Sequence, residues 1–119
     1  MPQRIEPHAE FHLTVTAADG HAVIAAAGEL DISHADELAS ALVEALARGP
    51  VRLDLAGLTF MDSSGVRLLD TLLRDSERER WVLTIVQELQ RPVRRVLELT
   101  GMVALLPFEP EPSAGRLNR

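Results

Sequence analysis

The sequence predicts an α/β sandwich: a mixed, mostly parallel central sheet with helices, in the order β-β-α-β-α-β-α-β. Three observations lead there. Strand-like and helix-like runs alternate along most of the chain, the pattern that feeds a parallel sheet through right-handed crossovers. The first two strand-like runs are separated only by a turn signal, which adds an antiparallel edge. The chain of 119 residues is 46% hydrophobic and 25% charged, the balance of one globular domain with its own core.

"FHLTVT" alternates, with Phe11, Leu13 and Val15 on one face and His12, Thr14 and Thr16 on the other, as in a half-buried strand. "AADG" (Ala17 to Gly20) marks a turn, and "HAVIAAAG" continues as the second strand of a hairpin. Ser33 followed by Asp36 reads as a capping box opening the first helix. Leu38, Ala41, Leu42, Ala45 and Leu46 then recur at helical spacing, and Gly49-Pro50 stops the run.

"VRLDL" is a short strand with Val51, Leu53 and Leu55 inward. A second helix starts near Ser64 and becomes heavily charged towards "RDSERER", a solvated helix end. "WVLTIV" is the strand expected to be covered on both faces. Pro92 suits a first helical turn, Val93, Val96 and Leu97 make the third helix amphipathic, and Gly101 ends it. "VALLPF" is expected as a last short strand. The domain organisation expected is an N-terminal extension over 1–9, one domain over 10–108, and a loosely ordered, Pro-rich tail over 109–119.

Composition narrows the function classes. The net charge of −6 argues against nucleic-acid binding, which needs a basic stripe to neutralise phosphates. No apolar stretch approaches the ~20 residues of a membrane span, and "MPQRIEPHAEFH" lacks the apolar core of a signal peptide, so a soluble cytoplasmic protein is expected. The absence of cysteine removes disulfide, thiolate and Cys-zinc chemistry. His8 and His12 are four apart but sit at a strand entry, where that spacing does not stack them as metal ligands. Gly-rich phosphate loops are missing, so no cofactor is expected.

The stretch "LTFMDSSGVRLLD" (Leu58 to Asp70) places an acid, two serines and a glycine between an apolar strand end and an apolar helix start. A nucleophile elbow would need a glycine two residues before the serine, and Met61-Asp62-Ser63-Ser64-Gly65 lacks it. His34, the histidine in a plausible loop, has no evident oxyanion-hole partner, so no catalytic residue is assigned. Two readings stay open. One is helix capping, worth ~1 kcal/mol. The other is a phosphate acceptor at a helix N-terminus, where N–H dipoles tolerate an anion and a docked partner would meet about −1.5 to −2 of new charge.

The chain resembles the STAS domain, and within it the bacterial anti-sigma factor antagonists. The likeness spans about residues 10 to 108, on "GELDISHADEL" (Gly28 to Leu38), "LTFMDSSGVRLL" (Leu58 to Leu69) and "RPVRRVLELTGM" (Arg91 to Met102). It implies a similar fold and a partner-switching regulator rather than an enzyme. The unphosphorylated form would bind an anti-sigma factor that is also an ATP-using serine kinase, freeing a sigma factor. Phosphorylation at Ser63, with Ser64 the lesser candidate, would break the complex, and a PP2C-type phosphatase would restore it. Asp31, Asp62, Ser63, Ser64, Gly65 and Arg67 are the partner-facing residues this implies, without nucleic acid or membrane insertion.

The chain departs from the family pattern twice. Arg67 stands where many members carry a small residue, and there it can pair with a phosphate on Ser63 or alter which kinase fits. The family's C-terminal helix is not visible in "EPEPSAGRLNR". The same resemblance also admits a STAS scaffold that is never phosphorylated, as in a lipid-transport ATPase complex or a stress-signalling assembly.

Overall fold

The computed structural model of the protein describes residues 10–110. The expected N-terminal extension, His8, and the tail beyond Pro110 lie outside the described residues. The sheet has four strands, β1 (Phe11–Ala18), β2 (His21–Leu30), β3 (Val51–Met61) and β4 (Leu83–Ile85), side by side in that order. The β1–β2 pair is an antiparallel hairpin closed at Ala18 and His21 by Asp19-Gly20, with Gly20 at φ 76°. The β2–β3 and β3–β4 pairs are parallel.

Three helices connect them: α1 (Ile32–Leu46), α2 (Ser63–Glu79) and α3 (Arg91–Leu99). Each crossover steps the same way across the sheet, and right-handed connections therefore stack all three helices on one face. Burial follows that rule. Ile24, Ala26, Leu53, Leu55 and Ile85 point into the helix layer and are buried, whereas Val23, Ala25, Arg52, Asp54 and Thr84 on the other face are partly exposed. Leu38, Leu42 and Leu46 of α1, Leu68, Leu69 and Leu72 of α2, and Val93 and Leu97 of α3 complete one continuous core. Among the described residues, no helix is long and apolar enough to cross a membrane.

Four expectations need correction. The expected final strand "VALLPF" is instead a 3-10 turn over Met102–Ala104, followed by a single parallel bridge from Phe108 to Ile85. Gly101 at φ 79° turns the chain, Met102 and Leu106 drop into the core, and Pro107 has no N–H to extend a ladder. "WVLTIV" forms only the three-residue β4, because Arg80 at φ 61° ends α2 and leaves Val82 57% exposed ahead of the strand. Thr84 is half-buried, so the strand is covered on one face and not two. Val15, expected inward, is 55% exposed at the sheet edge.

The fourth concerns the start of the tail. Glu109 is not loose: its carboxylate takes two hydrogen bonds from the Arg52 guanidinium, at 3.1 and 2.8 Å. Its N–H donates to Ile85 O at 2.8 Å and its carbonyl accepts from Gln87 Nε2 at 2.7 Å. The Arg52 hydrogen bond holds the Glu109 carboxyl below its usual range, against a smaller opposing effect of desolvation, and the same bond raises Arg52. A depressed carboxyl stabilises the fold above its ordinary pKa and loses that contribution as pH falls through the folded value. Glu109→Gln is therefore expected to lower stability by up to ~1 kcal/mol at pH 7, a figure reduced by solvent screening of this part-exposed pair. Denaturant melts of the two proteins should converge as the medium is made more acidic than the ordinary glutamate pKa of 4.5.

Candidate partner-switch site

The parallel pairing of β2 with β3 builds the site. Its register ends with Leu30 opposite Met61, after two irregularities around Ala25 to Glu29. Gly28, at φ 98°, lies in that irregular stretch, and a Cβ there would lie 2.1 Å from Glu10 O. The next residue of each strand is an aspartate, so Asp31 and Asp62 emerge side by side at one end of the sheet. The Asp62 N–H donates back to Leu30 O at 3.2 Å and ties the two exits together.

Both aspartates do the same work. Asp31 Oδ1 accepts from the Ser33 N–H at 2.9 Å, while its carbonyl takes the N–H groups of His34 and Ala35, each at 3.0 Å. Asp62 Oδ1 accepts from the Ser64 N–H at 2.8 Å, and its carbonyl takes those of Gly65 at 3.0 Å and Val66 at 3.3 Å. Each aspartate thus satisfies orphan donors of a first helical turn. The Ser33 capping box is corrected accordingly: Ser33 donates its backbone N–H and Asp31 is the cap. On α2 the cap is Asp62, and the helix begins at Ser63.

Capping by Asp62 leaves the serines without that job. Ser63 is exposed and Ser64 half-buried, and neither hydroxyl hydrogen-bonds another described residue. They face different hollows. Ser64 borders a groove of about 400 Å³ between α1 and α2, with Ile32, Ala39, Val43 and Leu68 on its walls. Ser63 borders one of about 490 Å³ between α2 and α3, with Asp62, Val66, Val96 and Thr100. Arg67 lines both and is exposed. Gly65 is buried against the strand ends: a Cβ would meet Met61 Cγ at 2.5 Å and Leu30 Cδ2 at 3.0 Å.

The structure thus places the candidate site residues Asp31, Asp62, Ser63, Ser64, Gly65 and Arg67 at one end of the sheet. Ile32 was not among them. It follows Asp31 on the rim of the α1–α2 groove and is 77% exposed, and an isoleucine next to a cap residue was the available signal. His34 stacks on Phe11, with ring centroids 4.8 Å apart, and its Nδ1 lies 3.7 Å from Glu37.

The model of the STAS domain described as Mlab matches residues 13–107. The chain belongs to the STAS family. None of the curated proteins matches it by sequence. Among solved structures, an anti-sigma factor antagonist from Mycobacterium paratuberculosis superposes with a TM-score of 0.75 at 24% identity, over 91% of this chain and 92% of that one. The anti-sigma factor antagonist SpoIIAA in its unphosphorylated form gives 0.67 at 22%, over 87% and 92%. The phosphorylated form of SpoIIAA, a Bacillus cell fate determinant, gives 0.59 at 23%, over 92% and 100%. At these identities the likeness shows the fold, and the STAS sheet with its helices is that fold.

The assignment of caps is checkable. Asp62→Ala is expected to lower stability by ~1 kcal/mol or more, and with it the melting temperature by ~4–8 °C per kcal/mol. Ser63→Ala and Ser64→Ala should each stay within ~0.5 kcal/mol of the parent. Thermal melts of the three variants measure this directly.

Proposed function

We propose that the protein is an anti-sigma factor antagonist that works by partner switching. Unphosphorylated, it binds an anti-sigma factor that is itself an ATP-using serine kinase, and so frees a sigma factor. The kinase transfers the γ-phosphoryl group of ATP to Ser63 Oγ: the new P–O bond forms as the bond to the β-phosphate oxygen breaks. ADP leaves, and the hydroxyl proton goes to solvent or to a base of the kinase. The phosphoserine breaks the complex, and a PP2C-type phosphatase returns the hydroxyl. The chain supplies no catalytic group to these steps, which is the sense in which it is not an enzyme.

One observation carries the reading. Ser63 stands exposed on the first turn of α2 with its hydroxyl unengaged, because Asp62 already caps that helix. A serine in that position is accessible to a kinase and can gain a phosphate without losing a structural hydrogen bond. The antagonists that share the fold make the same role the natural one.

The partner-facing surface in this reading is the end of the sheet where Asp31, Asp62, Ser63, Ser64, Gly65 and Arg67 meet. Exposed Ile32 gives it an apolar anchor. Adding about −1.5 to −2 of charge at its centre repels an acidic or apolar partner surface without disturbing the core beneath. A working place in the bacterial cytoplasm follows from this role.

The description of the matching family model as Mlab favours a second reading, a STAS scaffold subunit of a lipid-transport ATPase complex that is never phosphorylated. Co-purification with a transporter's ATPase from the native cell would support that scaffold.

The switch is tested by binding to the cognate kinase. Ser63→Ala should bind as tightly as the parent and resist release by ATP, whereas Ser63→Asp should bind at least ~10-fold more weakly, a difference of ~1.4 kcal/mol or more. Equal affinities for the two variants, measured by calorimetric titration, would contradict the electrostatic account.

A further inference from the structure

The arginines of α2 follow a rule with one exception. Arg74 Nη2 reaches Asp70 Oδ2 four residues before it, at 2.6 Å, and Arg78 Nη2 reaches Asp75 Oδ1 three residues before it, at 2.8 Å. An acid placed N-terminal to a base at this spacing is the favoured orientation on a helix. Arg67 is exposed and makes no ion pair or hydrogen bond among the described residues. Asp70, three residues later, is already held by Arg74. Four residues before Arg67, where the rule would place an acid, stands Ser63.

We infer that Arg67 is a positioning residue for the phosphorylated state: it clamps the phosphate of phospho-Ser63 along the first turn of α2. The inference rests on the switch reading proposed above. A phosphate on Ser63 supplies the missing acid at the i,i+4 position, doubly charged and open to a guanidinium fork. Both side chains border the same hollow of about 490 Å³, so the phosphate has room beside the helix.

The backbone offers that phosphate little else. Of the first four N–H groups of this helix end, Asp62's donates to Leu30 O, Ser64's to Asp62 Oδ1 and Gly65's to Asp62 O. Only Ser63's own N–H is left. Among the described residues, the charged groups bordering the hollow are Asp62, Arg67 and Asp70, all from the α2 side, while α3 contributes Val96 and Thr100, which do not titrate. Across the sheet end, Asp31 adds a further negative charge. Among the described residues, Arg67 is therefore the one cation bordering the hollow beside the phosphate, amid carboxylates that otherwise disfavour its second ionisation.

The consequence is a phosphate folded back on its own helix. The switched-off form is then held by the chain itself and not by the departure of the partner alone. Arg67 also covers one side of the phosphate that a phosphatase has to reach.

The test installs phosphoserine at position 63 of the full chain during synthesis, which needs no kinase, and follows the phosphate by phosphorus NMR against pH. The second pKa should rise by about 0.2–0.4 of a pH unit in Arg67→Ala. Arg67→Lys should recover part of that shift, and 1 M salt, with a Debye length of ~3 Å, should shrink it. Superimposable titrations of the parent and Arg67→Ala, both folded by circular dichroism, would overturn the inference. Failure of the kinase to modify Ser63 would instead count against the switch, so the two failures are told apart.

Discussion

The site depends on α2 starting flush against the ends of β2 and β3. That contact is made by the hydrogen bond from the Asp62 N–H to Leu30 O and by the missing side chain of Gly65, whose place is taken by Met61 and Leu30. With both in place, two helices begin side by side at the same end of the sheet, each capped by the aspartate that follows its strand. A larger residue at 65 would have to displace the Met61 and Leu30 side chains or shift the helix start.

This division of labour explains why the stretch from Asp62 to Gly65 holds more polar groups than a helix start needs. Asp62 caps, Gly65 permits the close approach, and the two serine hydroxyls are left over. A leftover hydroxyl at an exposed N-terminus is chemically available without structural penalty. Under the proposed switch, phosphorylation would change the charge of one surface while leaving stability nearly where it was. In the proposed switch, a partner docked over Asp31, Ile32 and Ser63 would read that charge, and the sheet beneath would not have to move.

Much of this was legible in the amino-acid order, because the fold is built from local signals. Alternation in "FHLTVT", the Asp19-Gly20 turn and the spacing of Leu38, Leu42 and Leu46 each have one good structural answer. The misreadings came where a tertiary partner decides. Ser33 and Asp31 are both good caps, and only the backbone angle at the strand exit selects Asp31. The apolar run "VALLPF" has the composition of a strand, but burial of Met102 and Leu106 and the lack of an N–H at Pro107 leave one bridge. Arg52 and Glu109 are 57 residues apart, and no local pattern announces that pair. Of the site itself, the serines and aspartates were visible as a motif, whereas the lack of an ion pair on Arg67 among the described residues required the packed helices.

The central claim is that Ser63 carries a reversible phosphate. The most direct measurement is intact and peptide mass spectrometry of the protein recovered from its native cell, grown with and without stress. The account predicts a single phosphate, on the peptide containing Ser63, whose occupancy changes with growth condition. Absence of phosphate under every condition would contradict it, and would leave Ser63 as an exposed first-turn residue on a STAS scaffold.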